Sequence, residues 1–426
     1  MKFNKWTLGL AAVGVVSLAS AARADEKMNA LQTALSNTTI SGYVSASFNW
    51  AITPGGGNNG SSPAAFIPFQ GQGQGLFSDN VNPTKQDGFN LDVVKLSISK
   101  PQDESPWASG YQVDLIFGPD AVGYNTSINA QENNGNPSVS SDYAIKQAYV
   151  VLRTPIGNGI DWKIGVFDTI IGYEVFDAGS NPNYTRSWGY AIEPTEHTGI
   201  LGTYKINDEW SVSAGIANTL SAGINTRNNE SGFANGEGSY WHKTYMGSLT
   251  FTAPSSWGWA AGSSMYAGVV YGFSANHNTT ANNGYMDGNQ VNYYAGATLN
   301  TPWKQLTTGI AFDYVHNLGG GSESGNYINA MTIGLYGTYK ATDKLSFNAR
   351  GEYLYAEQYG ATDGDYNGSD DGMELTGTVE YDLWANVVSR LELRWDHLFS
   401  DNELLGLGSL DHRTSVGLYA NVIYKF

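Results

Sequence analysis

The sequence predicts an all-β fold: a transmembrane, antiparallel up-and-down β-barrel of about sixteen strands, with long extracellular loops and short periplasmic turns. Three observations carry that expectation. Apolar and polar side chains alternate along nearly the whole chain after residue 37. The connections between alternating stretches are long and short in turn. Tryptophans gather beside the short ones.

Taken from the N-terminus, the first element is a leader. Lys2 and Lys5 give a basic start, "TLGLAAVGVVSLAS" (7–20) is apolar, and Ala22-Arg23-Ala24 is a small-x-small cleavage site. The run is too short to span a bilayer. A mature chain starting at Asp25 loses Lys2, Lys5 and Arg23, which moves the formal charge from −17 to −20. Residues 25–37 form a short periplasmic segment. Met28, Leu31 and Leu35 there have helical spacing, so it is either a short helix or a frayed leader. The barrel then occupies 38–426.

Alternation with period 2 marks a strand with one apolar and one wet face. It is cleanest over 387–399, where Val387, Leu391, Leu393 and Trp395 oppose Arg390, Glu392, Arg394 and Asp396. Met373 to Leu383 and Tyr327 to Lys340 repeat it. Sixteen stretches emerge, near 38–50, 87–100, 111–118, 143–154, 161–172, 196–206, 210–218, 243–252, 264–275, 291–301, 306–316, 327–341, 345–359, 372–383, 387–399 and 413–426. Most are ~9–14 residues long, enough to cross a bilayer at a tilt. The last ends on Phe426, with Val416, Leu418, Ala420, Val422 and Tyr424 on the same face. That ending resembles the C-terminal signal of bacterial outer-membrane barrels.

Long connections include 51–86, 119–142, 173–195, 219–242 and 276–290; short ones include 207–209, 301–305, 341–344 and 384–386. Barrels of the outer membrane have this asymmetry. Trp107, Trp162, Trp210, Trp257, Trp259, Trp303 and Trp384 lie in or beside the short turns, as an interfacial girdle requires. A soluble β-sandwich or propeller would also alternate, but without the loop rhythm.

Composition excludes several classes. With no cysteine, the chain has no disulfide framework, thiolate metal site or C-x-x-C-H haem attachment. The acidic balance argues against nucleic-acid binding. Six scattered histidines make no H-x3-H ligand pair. His197 reads as a lumen-facing hydrogen-bonding residue. No G-x-S-x-G motif supports a serine hydrolase, so an enzyme is not expected.

Sixteen strands enclose too wide a lumen for side chains to fill, so an aqueous channel is expected unless something plugs it. Alternation assigns its lining: Arg350 and Glu352, then Glu374, Glu380 and Asp382, then Arg390, Glu392, Arg394 and Asp396. On neighbouring strands these charges form rungs. They make either an ion-selective wall or a set of mutually neutralising pairs. The connection 173–195 is the candidate constriction loop. It carries Glu174, Asp177, Tyr184, Arg186, Trp188 and Glu193, with Tyr173 and Tyr190. It either folds inward or packs on the outer rim. If it lines an eyelet, Arg186→Ala raises cation selectivity.

"DGDYNGSDDGME" (363–374) matches the calcium-loop pattern D-x-[DN]-x-[DN]-G-x5-E. Its donors are Asp363, Asp365, Asn367, Ser369, Asp371 and Glu374. The flanks are strands, so this is no EF-hand. It is either a weak Ca2+ site in an outer loop or an acidic, glycine-rich turn.

Residues 147–199 carry a family likeness. "QAYVVLRTPIG", "KIGVFDTIIGYEVFD" and "NPNYTRSWGYAIEPTEHTGI" resemble the OmpL-like family of bacterial β-barrel porins. The resemblance implies an outer-membrane pore and leaves the solute open. The expected function is therefore a porin for passive diffusion of small hydrophilic solutes or ions. Cations are preferred because the net charge is acidic. Lipid surrounds such a barrel, and a homotrimer is possible. The alternative is a surface interaction barrel: an adhesin, a receptor, or a sheath for a partner protein.

Overall fold

The computed structural model describes residues 37–52, 85, 87–124, 142–220, 224, 243–273, 289–318, 327–359, 366–399 and 413–426. The leader and nearly all of the segment 25–37 lie outside these. Sixteen antiparallel strands close into one barrel. They are β1 (Thr39–Ala51), β2 (Gly88–Lys100), β3 (Ser109–Phe117), β4 (Tyr143–Thr154), β5 (Ile160–Asp168), β6 (Glu196–Lys205), β7 (Trp210–Ala217) and β8 (Thr244–Thr252). The second half comprises β9 (Ser264–Phe273), β10 (Asn289–Asn300), β11 (Leu306–Leu318), β12 (Tyr327–Lys340), β13 (Leu345–Tyr359), β14 (Tyr366–Trp384), β15 (Val387–Leu398) and β16 (Thr414–Lys425). Each strand pairs with its sequence neighbours. β1 closes the ring on β16, with Tyr43 opposite Lys425 and Ala51 opposite Gly417. Closure leaves no free sheet edge, which is what an apolar surrounding demands of backbone amides.

The outer rows are apolar because alternation puts them there. Leu335, Leu375, Leu391 and Leu393 are exposed. Trp107, Trp210, Trp257, Trp259, Trp303 and Trp384 are exposed at the end with the short connections. Phe48, Trp50, Phe89, Phe117 and Tyr143 are exposed towards the other end. A band of aliphatic side chains between two aromatic rims is the outer surface of a membrane barrel.

Two strand boundaries differ from the sequence reading. β5 stops at Asp168 and not near 172. The apolar run continues through Ile170 and Ile171, but those side chains turn into the barrel and pack on its inner wall. β14 begins at Tyr366, well before 372. The pairing of Ser369 with Glu357 and of Asp371 with Tyr355 extends the β13–β14 ladder into what reads as a loop.

Two bulges re-aim charges. The β1–β2 register skips Asp92, and the β3–β4 register skips Lys146. Both residues are buried. An extra residue in one strand turns a side chain that regular alternation would place elsewhere.

The described core is inside the barrel. Ile171 packs with Phe167, Leu201, Met246, Val270 and Tyr294. Phe176 and Ala178 pack with Tyr43, Ile116 and Ile423. Trp188, Ala191 and Ile192 pack with Val315, Ala330, Leu354 and Leu398. In each cluster, residues from the single connection 169–195 meet a different sector of the wall.

Candidate functional site: a loop locked across the lumen

The connection 169–195 leaves β5, crosses the lumen and returns to β6. A short helix, α1 (Trp188–Ile192), lies within it. Ser187 caps its start, its Oγ accepting from the Tyr190 amide at 3.0 Å. Pro194 forces extended backbone on the residue before it, and Glu193 has φ −82°, ψ 149°, so the helix ends at Ile192. Residues 183–197 are all buried.

The inner wall of β13–β15 holds the loop through repeated contacts. Two wall carboxylates each accept two successive loop amides. Glu392 takes the amides of Tyr184 (2.6 Å) and Thr185 (2.9 Å). Glu352 takes those of Trp188 (2.6 Å) and Gly189 (3.2 Å). Three wall arginines each bind a carboxylate on one side and a loop carbonyl on the other. Arg350 donates Nε and Nη2 to Glu374 (3.0 and 3.1 Å), and Nη1 to the Thr185 carbonyl (2.7 Å) and Glu174 (2.8 Å). Arg390 binds Glu380 (2.8 Å) and the carbonyls of Ala178 and Asn181 (both 2.8 Å). Arg394 binds Asp396 (2.7 Å) and the Arg186 carbonyl (2.6 Å). The planar fork of arginine suits this division of donors. A buried backbone group needs a partner, and the wall supplies partners that the loop cannot make for itself.

The rungs foreseen from alternation are present: Glu352 opposite Glu374, Glu374 opposite Asp396, and Glu380 opposite Arg390. Their role differs from an open ion-selective wall. Arg350, Glu352, Glu374, Arg390, Glu392, Arg394 and Asp396 are inward and buried, engaged with the loop or with one another. Glu380 is half-buried, and Asp382 is exposed near the end of its strand.

The loop residues are placed as follows. Glu174 is buried between Arg350 and the Ser187 amide (3.0 Å). Asp177 binds Lys95 on β2 at 2.7 Å. The Tyr184 hydroxyl donates to Asp92 (3.0 Å). Arg186 donates to the Phe176 carbonyl and lies 5.3 Å over the Tyr190 ring. Trp188 is packed in the β11–β15 cluster. Tyr173 stacks on Tyr336 with centroids 4.0 Å apart. His197 Nε2 is 3.1 Å from Thr169 Oγ1.

Glu193 faces Asp313 of β11, carboxyl to carboxyl. Glycine permits this approach. A Cβ at Gly172 would strike the Glu193 carboxyl, and one at Gly189 would come 2.7 Å from Asp313 Oδ2. Burial, then the adjacent Asp313 carboxyl, holds Glu193 well above the usual carboxylate range.

Sequence reasoning missed Asp92, Lys95, Asp313, Asn292 and Asn348. Asn292 and Asn348 donate to loop carbonyls of Ile192 (2.8 Å) and Pro182 (2.7 Å). Asp313 is visible as the lone carboxyl of β11. Asp92 is hidden by its bulge.

The described part of the calcium-like stretch is drawn out along β14. Asp363 and Asp365 lie outside the described residues, and so does the Asn367 side chain. Ser369, Asp371 and Glu374 are on β14, where extended geometry puts Asp371 and Glu374 on opposite faces. Asp371 accepts from the Tyr353 hydroxyl at 3.0 Å, while Glu374 is held by Arg350. Among the described residues no group of three or more ligating side chains could hold a metal ion.

On the short-connection side of the loop the inner rows carry short hydroxyls. Ser97, Thr203, Ser213, Ser248, Thr307 and Thr338 are half-buried there, with Thr203 and Ser213 hydroxyls 2.8 Å apart. These hydroxyls make that side of the lumen, the vestibule, polar.

Comparison with known proteins fits this architecture. Salmonella typhi OmpF superimposes with a TM-score of 0.54 at 12% identity, covering 91% of this chain and 97% of that one. The anion-selective porin from Comamonas acidovorans gives 0.52 at 9% identity, covering 91% and 99%. The trimer form of in-vitro folded OmpT from Vibrio cholerae gives 0.51 at 13% identity, again covering 91% and 99%. At such identities the likeness shows the fold. No curated protein is a significant sequence match. The profile of the family described as "Putative beta-barrel porin-2, OmpL-like" matches residues 37–426. The chain belongs to that porin family, and it is a sixteen-stranded barrel of the bacterial outer membrane.

Proposed function

We propose that the protein is a channel, not an enzyme, through which small hydrophilic solutes or ions diffuse passively past a constriction built by the connection 169–195. One observation carries this: a loop folded inside a closed barrel and fixed there by wall residues on several strands. The longer connections face the outside of the cell and the short ones the periplasm. Cations are favoured, because the chain is acidic (formal charge −17). A homotrimer is the proposed assembly, by likeness to the trimeric OmpT form.

The test is planar-bilayer conductance of the purified barrel under a KCl gradient. Stepwise insertions with a cation-selective reversal potential are expected. The burial of 183–197 favours a second possibility, a barrel closed by its own loop that serves as a receptor or sheath. Folded protein that never conducts would establish that one instead.

A further inference from the structure

Most basic side chains of the inner wall are engaged. Arg350, Arg390 and Arg394 hold the loop. Lys95 binds Asp114 and Asp177, Lys146 binds Asp168, and Arg153 binds Asp161. Lys425 donates to the Gly179 carbonyl at 3.1 Å.

Lys163 forms no ion pair among the described residues, and the Asp168 carboxylate acts on it only at longer range. It sits mid-strand on β5, in the row of Asp161, Gly165 and Phe167, and Phe167 belongs to the apolar cluster inside the barrel. It is opposite Val151 on β4 and Leu201 on β6. Its Nζ lies 4.9 Å from the centroid of the Tyr149 ring, and it is only half-buried. The next pair along the row is Gly165 opposite Gly199, with Tyr149 opposite Gly165 on the β4 side. An aromatic face steadies an ammonium without neutralising it. A charge inside a low-dielectric wall projects its field into the lumen.

We propose that Lys163, seated on Tyr149, is a selectivity-setting residue of the vestibule. It is the contact point for anionic groups, carboxylate or phosphate, on passing solutes, and it offsets part of the cation preference. This rests on the channel function proposed above.

Two measurements separate the inference from that function. The first is reversal potential. K163Q shifts it towards cations and K163E shifts it further, while K163R leaves it near wild type. A conducting barrel whose reversal potential is the same in all three overturns the inference and leaves the channel standing. The second needs no conductance and uses the absence of native cysteine. Val151→Cys places a thiol opposite Lys163, and it is labelled with methanethiosulfonates of either sign at low salt. The anionic reagent reacts faster, and adding K163Q cuts the anion-to-cation rate ratio roughly five-fold, as expected for a unit charge about 8 Å away in water. A ratio unmoved by K163Q, or a thiol that neither reagent reaches, overturns the inference. A silent wild-type barrel in which K163Q still cuts the ratio supports the anion contact and removes the channel function.

Discussion

The β13–β15 wall and the β4–β6 wall make opposite use of charge. The first is dense in arginine and glutamate, and nearly all of it is buried against the loop or paired. The second carries fewer charges: Lys146 pairs with Asp168, Arg153 pairs with Asp161, and Lys163 is half-buried on an aromatic ring. A dense ladder in sequence suggests an ion filter. Here it provides partners for a buried backbone, because a loop inside a barrel has amides and carbonyls that water no longer reaches. On the proposed reading, the field that a solute meets is set by charges such as Lys163 that the loop does not cover.

Removing the keystone of the dense wall breaks that contrast most sharply. Arg350→Met leaves Glu174, Glu374 and the Thr185 carbonyl without their cation. Uncoupling a buried ion network in this way costs about 3–5 kcal/mol. The loop should detach while the barrel persists. Limited proteolysis should then cut within 173–195, and single-channel conductance should rise and become noisy. Arg350→Lys should not rescue, since a point ammonium cannot reach Glu374, Glu174 and Thr185 together. Unchanged protease resistance would show that the apolar clusters alone hold the loop.

The carboxyl pair gives a smaller, pH-dependent effect. Glu193 is pushed up by burial and by Asp313. A raised acid contributes stability that is complete below the unfolded glutamate range, ~4.3. That stability is lost as pH rises through the raised value, because the folded state then gives up a proton it prefers to keep. Loop anchoring should therefore weaken as pH rises, and channel noise should grow with it. Glu193→Gln keeps a hydrogen-bonding group and cannot ionise. It should flatten the pH dependence above the ordinary glutamate range, and a profile identical to wild type would clear Glu193 of the role.

Much of the barrel was legible in the sequence, and the reasons are local. Alternation gives the strands because one face meets lipid and the other does not. The two boundary errors have one cause. Ile170 and Ile171 continue an apolar pattern, and 366–371 is polar and glycine-containing, so composition misstates where pairing begins and ends. The inner rows were legible too, as alternation names Arg350, Glu352, Arg390, Glu392 and Arg394. Their role was not. Whether a glutamate faces water or two backbone amides depends on a loop that starts far away in the chain, as with Glu392 and Tyr184. The Asp363–Glu374 pattern shows the same limit. Spacing matches a calcium loop, and pairing with β13 makes strand of its described part, from Tyr366 on.

The finest division between the two walls lies between Arg186 and Lys163. As an exposed eyelet residue, Arg186 should raise cation selectivity when truncated. The structure buries it to 1% exposure, its guanidinium on the Phe176 carbonyl and over Tyr190. A charge so placed acts on the fold of the loop more than on a passing ion. Arg186→Ala should then leave the reversal potential almost where it was and lower the melting temperature by a few degrees, from the lost packing and charge-assisted hydrogen bonding. Lys163→Gln should do the reverse, moving the reversal potential with little change in melting. Measured side by side in the same membrane, the pair sorts charge by exposure. Should Arg186→Ala shift selectivity as strongly as Lys163→Gln, the loop must present that guanidinium to the solute path, and the contrast between the two walls would fail there.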